Sequence, residues 1–372
     1  MNSCYRLPAT LMRGGTSKGL FVRADALPED TERWEAMLLR AIGSPDPNRL
    51  LLDGLGHGRP GSSKVVILSP SRREDCDVDC LFAHVAPDVP RIDWSGHCGN
   101  LSAAIPLFAA MENMIQPQDG VATVSIWQAN VGKRILAELE IFNGEPVWQG
   151  DFLIDGITFP GAPIRLRFLD PAGSRCGELY PSGRLIEELM LPDGSRVEAT
   201  LIDAGNPTAF VQAKDFGLSG HETQLDIPRQ SLQRLALARA SAAVAMGLAK
   251  DIFEADRESP ASPRISILAP GIEGETHLHA RILSGHRLHD AFSGTGAIAL
   301  ACACATEGTL PARLAGGAVR GQALTFSHGK GLQTLEAVLG LDTMGWKIDE
   351  VVMTRTARPL MRGEVYIPME PL

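Results

Sequence analysis

Short apolar runs alternate with polar turns along most of the chain. Leu7-Pro8-Ala9-Thr10-Leu11 and Leu20-Phe21-Val22 flank a glycine turn and read as paired strands. Val65-Val66-Ile67-Leu68, Cys80–Val85 and Arg91–Trp94 read as further strands. So do Val121–Trp127, Ile135–Phe142, Gly150–Phe159 and Arg165–Phe168. Helical spacing appears between them. From Thr31 to Ile42, Trp34, Met37, Leu38 and Ala41 share one face, and Gly43-Ser44-Pro45 ends the run. A second long helix is predicted over Gln230–Leu248. The stretch 160–196 is rich in Pro and Gly and reads as a passage between two halves.

The pattern repeats. Ala9-Thr10-Leu11-Met12-Arg13-Gly14-Gly15 aligns with Ala199-Thr200-Leu201-Ile202-Asp203-Ala204-Gly205, each followed by a polar turn and an apolar pair. The strand Ser63-Lys64-Val65-Val66-Ile67-Leu68-Ser69-Pro70 is matched with Arg264-Ile265-Ser266-Ile267-Leu268-Ala269-Pro270; the lysine is missing from the second copy, and Ser266 is taken as its opposite number. Cys98-Gly99-Asn100 aligns with Ser293-Gly294-Thr295, each opening a helix. The expected division is an N-terminal half, 1–190, holding Lys64 and Cys98, and a C-terminal half, 191–372, with a second helix N-terminus at Ser293. The last strand, 365–372, is expected to return to the first half. Residues that differ between the copies are the candidates for chemistry.

Candidate chemistry centres on Asp93-Trp94-Ser95-Gly96-His97-Cys98-Gly99-Asn100. A strand turns on glycines into an apolar helix, with a thiol where the helix begins. Unpaired N–H groups at such a terminus favour anions and favour thiolate over thiol. The alternative is a buried, inert cysteine. Arg13-Gly14-Gly15-Thr16-Ser17-Lys18 is a donor-rich turn suited to carboxylate, without phosphate-loop spacing. A glycine-rich loop ends in Ser63-Lys64 at a buried strand, where partial desolvation makes a lysine a usable base. Asn206 and Ser293 to Gly296 are the corresponding donors of the second half.

Composition narrows the class. The chain has 372 residues, a net charge of −9 and no long block of like charge, which disfavours nucleic-acid and membrane-surface binding. Seven cysteines, no apolar N-terminal run and no membrane-length apolar stretch lead us to expect a cytoplasmic protein with reduced thiols. Gly294-Thr295-Gly296-Ala297-Ile298-Ala299 matches a dinucleotide fingerprint but follows a poor strand and lacks the acidic partner. His277, His279, His286 and His289 cluster without a completing ligand set, and Cys76/Cys80 and Cys302/Cys304 lack partners at metal-site spacing, so no metal is assigned.

Met12-Arg13-Gly14-Gly15-Thr16-Ser17-Lys18-Gly19, Gly43-Ser44-Pro45-Asp46, Ser62-Ser63-Lys64, the Cys98 segment, Ile126-Trp127-Gln128-Ala129-Asn130 and Ala204-Gly205-Asn206-Pro207-Thr208 resemble the PrpF family over residues 5–367. The resemblance implies an α+β fold of two pseudo-symmetric diaminopimelate epimerase-like halves. Each half is a mostly antiparallel sheet wrapped around a central helix, with the site in the cleft between. It implies a cofactor-independent isomerase that moves a proton in an allylic system of a small unsaturated di- or tricarboxylate. Activities in the family include 2-methylaconitate cis-trans isomerisation and 4-oxalomesaconate tautomerisation. Lys64 matches the family's proposed catalytic lysine and Cys98 its active-site cysteine, with Lys64 as leading base, Cys98 as second acid/base group, and the exchange of these two roles left open. Ser293 stands where related epimerases carry a second cysteine, and His97 where some relatives have asparagine. A homodimer is compatible with the resemblance. The rival from another class is a non-catalytic carboxylate sensor serving an aconitase-like enzyme, which would need neither Lys64 nor Cys98.

Overall fold

A computed structural model describes residues 4–59, 61–258, 262–284, 287–342 and 345–368. In chain order the first elements are β1 (Cys4–Gly14), β2 (Ser17–Arg23), α1 (Glu32–Ile42), β3 (Lys64–Pro70), β4 (Val78–Val85) and β5 (Ile92–Asp93). A 3-10 turn (Leu101–Ala104) then runs into α2 (Ile105–Met111), followed by β6 (Gly120–Gln128), β7 (Lys133–Phe142) and β8 (Glu145–Pro146). Next come β9 (Ile164–Leu169), β10 (Glu187–Met190), β11 (Arg196–Ala204), β12 (Asn206–Gln212), α3 (Arg229–Ala245) and α4 (Ile252–Glu258). β13 (Arg264–Pro270), β14 (Leu278–Ser284), β15 (Arg287–Leu288), α5 (Gly294–Ala305) and α6 (Leu310–Leu314) follow. The chain ends with β16 (Leu324–His328), β17 (Gly331–Asp342), β18 (Gly345–Arg355) and β19 (Ala357–Pro368).

Two compact units result: Met1–Leu166 with Thr354–Leu372, and Arg167–Met353. The division falls at 166/167 and not at 190/191. The reason is local, since β10 is hydrogen-bonded antiparallel to β11 and so belongs with the second unit. The returning segment is longer than 365–372. β19 pairs with β1 from Cys4↔Pro368 to Gly14↔Ala357, and residues 369–372 lie outside the described residues. Gly150–Phe159, expected as a strand, contributes only the bridge Phe152↔Gly161, because Asp155-Gly156 turns the chain with Gly156 at φ 90°.

Taken separately, the units have one plan. The first sheet runs β19-β1-β2-β3-β4-β6-β7, parallel at β2/β3 and β4/β6 and antiparallel elsewhere. The second runs β10-β11-β12-β13-β14-β16-β17, parallel at β12/β13 and β14/β16. Parallel neighbours require a crossover, and the crossovers hold the helices. One crossover helix in each unit, α1 or α3, covers the outer face of the sheet. Leu38 and Ile42 meet Leu20, Val65 and Ile67 in the first unit, and Leu235 and Ala238 meet Leu201, Ile265 and Ile267 in the second. The other crossover is enclosed by the sheet. The 3-10 turn before α2 packs on β1, β2, β7 and β19, and α5, buried along its whole length, packs on β11, β12 and β17.

The enclosed helix of the first unit approaches the sheet backbone closely. A Cβ at Gly14 would lie 2.7 Å from the Asn100 carbonyl oxygen and 2.9 Å from Leu101 Cα, both backbone atoms that cannot swing aside. Gly14→Ala should therefore lower stability by about 1–3 kcal/mol in chemical denaturation. Gly363→Ala, in open space on β19, should stay within about 0.5 kcal/mol of the parent.

Candidate active site

Alternation along the first sheet sorts the predicted residues onto two faces. Gly14 faces the enclosed helix, so Ser17, its partner in the β1/β2 register, faces it too. Gly19 also faces the helix, where an added Cβ would meet Leu101 and Lys64. Lys64, at the start of β3, is buried on this inner face. Its Nζ donates to Ser17 Oγ at 3.1 Å and to Cys98 Sγ at 3.4 Å. Cys98 Sγ lies 3.7 Å from Ser17 Oγ and accepts from Leu101 N–H at 3.5 Å. Amine, thiol and hydroxyl thus form a closed triangle, with part of Cys98 still accessible.

The expected α-helix directly after Cys98 is a 3-10 turn that becomes α2 only at Ile105. Its tighter geometry aims one N–H, that of Leu101, at the sulfur. Asn100 locks the segment by donating from Nδ2 to Thr16 Oγ1 at 3.1 Å and accepting at Oδ1 from Arg355 Nε at 3.1 Å. Gly15, at φ 51°, leaves space for the Asn100 side chain, and its N–H donates to the Thr356 carbonyl. Ser63 accepts from His57 N–H and donates to the His57 carbonyl, holding the preceding loop and not the thiol. His97 and Gly99 are buried beside Cys98.

Sequence reasoning missed Arg355 and Asn130. Burial brings Arg355 down to about 10, and no carboxylate offsets it; its partners are Asn100 and the Thr354 carbonyl. Asn130 accepts from Phe82 N–H and donates to the carbonyls of Phe82 and Trp94, tying β4 to the strand leading into the cysteine segment. Its place in the Ile126–Asn130 motif was the available signal.

The donor turn is divided between faces. Arg13 and Lys18 are paired in register on the outer face, away from Ser17, Lys64 and Cys98. Arg13 Nη1 donates to the carbonyls of Gly15 and Thr356 and to Thr356 Oγ1. The run from Arg13 to Lys18 therefore does not line one surface: Arg13 and Lys18 lie on the outer face and Ser17 on the inner one.

In the second unit the strand order makes Arg264, not Ser266, the counterpart of Lys64, since each opens the central strand parallel to its neighbour. Ser266 is buried and donates to the Arg281 carbonyl. Arg264 Nη1 donates to Thr295 Oγ1 at 2.8 Å. Ser293 caps α5 by accepting from Gly296 N–H at 3.0 Å, and Gly294 begins the helix. The Asn206 Oδ1 is buried without a hydrogen-bond partner among the described residues. This unit thus repeats cation and helix terminus, with guanidinium for amine and hydroxyls for thiol. The fingerprint-like glycines are the first turn of an enclosed helix, and Gly296 lets it lie against Ile282.

Among the described residues no group of three or more His, Cys, Asp or Glu side chains could hold a metal ion. His277 and His279 engage Thr325 and Ser327 of β16, and His286 lies outside the described residues. No helix among them is long and apolar enough to cross a membrane.

Doubled units, each a sheet closed around a helix, are a fold of isomerases. The chain superposes on the crystal structure of a methylitaconate-delta-isomerase with a TM-score of 0.77 at 31% identity, covering 98% of this chain and 96% of that one. A hydroxyproline epimerase from Agrobacterium vitis shares the fold at a TM-score of 0.60 and 15% identity, over 100% of this chain and 95% of that one. Residues 4–368 match the family model described as PrpF protein, and the chain belongs to that family of isomerases. It is 41% identical to the 2-methyl-aconitate isomerase of Shewanella oneidensis over 98% of this chain and 97% of the relative. It is 34% identical to the (4E)-oxalomesaconate Delta-isomerase of a Novosphingobium species, with 97% of each covered.

Electrostatics at the triangle favour thiolate. Burial alone would push the Cys98 thiol up, but the Lys64 charge, Leu101 N–H and Ser17 hydroxyl outweigh it and leave the thiol below its ordinary range. Burial pushes Cys80, Cys302 and Cys304 up, and Cys176 to about 12. Iodoacetamide labelling of Cys98, followed by peptide mass spectrometry, should rise with pH through a midpoint below that of an ordinary thiol. In Lys64→Met the midpoint should move to higher pH, because protonated thiol then persists longer.

Proposed function

We propose that this isomerase shifts a proton within the allylic system of a small unsaturated di- or tricarboxylate, with 2-methylaconitate as substrate. The observation that carries the reading is the 3.4 Å contact between the buried Lys64 Nζ and the partly accessible Cys98 Sγ, two proton carriers side by side. A thiol held low beside an ammonium favours the ion pair, so Cys98 is the base and Lys64 the acid, exchanging the roles expected from sequence. The thiolate takes the proton from the carbon next to the double bond. The electron pair spreads through the conjugated system onto a carboxylate, where Ser17, Thr16 and the Gly99–Asn100 backbone are the proposed donors. The Lys64 ammonium returns a proton. Return at the far allylic carbon transposes the double bond, and return at the first carbon after rotation interchanges cis and trans. The proton on the Cys98 thiol then passes to the Lys64 amine across their 3.4 Å contact, restoring the ion pair, so atoms are conserved and no redox step occurs. The 41% identity to a 2-methyl-aconitate isomerase, against 34% to an oxalomesaconate isomerase, supports the choice of substrate.

Steady-state assays on 2-methylaconitate, oxalomesaconate and methylitaconate should give the highest kcat/KM for the first. A higher value for either other acid would reassign the substrate. Lys64→Met and Cys98→Ser should each reduce isomerisation by about 100- to 10,000-fold. In deuterated water, above the thiol midpoint of the variant, Lys64→Met should still wash the abstracted proton out of substrate, while Cys98→Ser should not. The opposite result would return the base role to Lys64.

A further inference from the structure

Beyond the triangle, the outer face of the first sheet carries a row of cations that the reaction does not use. Arg358 on β19, Arg13 on β1 and Lys18 on β2 lie directly opposite one another in register. Like charges so placed across adjacent strands repel. None of the three has a carboxylate partner among the described residues. Burial first, and then the charge of Arg358, bring Arg13 down to about 10.

The two arginines line a cavity of about 300 Å³ with Trp148, Gln149, Gly150 and Pro160. Gly150 keeps the wall close, as a Cβ there would meet the Ala162 backbone at 2.9 Å. Arg358 is held with its Cζ 5.6 Å from the centre of the Phe159 ring. The second unit gives an internal contrast. Asp203 occupies the position of Arg13, and there the space is filled by its own chain. Asp203 accepts from Ser174 Oγ and from the N–H groups of Arg175 and Cys176. In the first unit the equivalent position is open, doubled in positive charge and walled by an indole and a proline.

We propose that Arg13 and Arg358 form a second anion site, separate from the Lys64–Cys98 triangle, that takes a small organic di- or tricarboxylate. Two guanidiniums match two carboxylates in paired hydrogen bonds. The apolar walls favour a carbon-bearing anion over a bare inorganic one, and the volume is at the small end for ligand pockets. The site goes beyond the proposed reaction and does not depend on it.

Trp148 is the reporter. Tricarballylate, a saturated tricarboxylate with no double bond to isomerise, should change the fluorescence of the parent protein, and the change should disappear in Trp148→Phe. Arg358→Gln should weaken this Trp148 signal about tenfold or more, Arg358→Lys less, while kcat and KM for isomerisation without tricarballylate stay at parental values. Four outcomes overturn the proposal. These are no Trp148-dependent change, a change that survives in Arg358→Gln, equally tight binding of inorganic phosphate, or a KM that rises by the factor by which tricarballylate binding falls. The last would make the cavity part of the substrate site.

Discussion

Everything at the triangle depends on how closely the β1–β2 turn approaches the backbone of Asn100 and Leu101. Gly14 and Gly15 carry no side chain there because none fits, and Gly19 extends the same clearance along β2. The clearance brings Ser17 and Lys64 within hydrogen-bond reach of a sulfur that starts the enclosed segment. A side chain in the turn would move the hydroxyl and the amine away together. The three glycines therefore set the geometry of the proposed acid–base pair without touching a proton.

The approach is secured by buried polar contacts and not by apolar packing alone. Arg355 loses its hydration, finds no carboxylate, and is held by an amide oxygen and a backbone carbonyl. Such an arrangement costs folding energy. What it provides is a fixed Asn100, which in turn holds Thr16 and the exit from the cysteine segment. Asn130 does the same on the entry side with three hydrogen bonds to backbone. The thiol is positioned from both ends by amides, Asn130 bonded to main-chain groups and Asn100 to the Thr16 hydroxyl and the buried Arg355, so its place follows from the fold.

Much of this was legible in the residues. The repeat, the inner lysine and the cysteine turn all follow from local pattern, since strand alternation and glycine turns are written in neighbouring positions. What escaped depends on register. Arg13 and Lys18 looked like members of one cradle with Ser17, and only the alternation of faces across β1 and β2 separates them. Ser266 looked like the counterpart of Lys64 until strand pairing matched Arg264 to it. Arg355 is distant in sequence from Cys98, and its link to Asn100 exists only through β19 returning to β1. Long-range pairing leaves no local signature. The 3-10 start of the enclosed segment, too, is set by packing against four strands, not by propensity.

A duplicated plan makes the differences between units informative, because the same backbone tolerates either residue. Where the first unit has an amine beside a thiol, the second has a guanidinium beside a threonine hydroxyl. A thiol can give up its proton and an ammonium can donate one, whereas a guanidinium stays charged and an alcohol stays protonated. Under the proposed mechanism, proton transfer is confined to one copy. The outer face differs in the same spirit. Asp203 is closed off by its own chain, whereas Arg13 is left facing another arginine. Charge repulsion of that kind weakens a sheet unless an anion relieves it, so two arginines that face each other without a carboxylate partner among the described residues are better explained by the proposed anion than by what they contribute to folding.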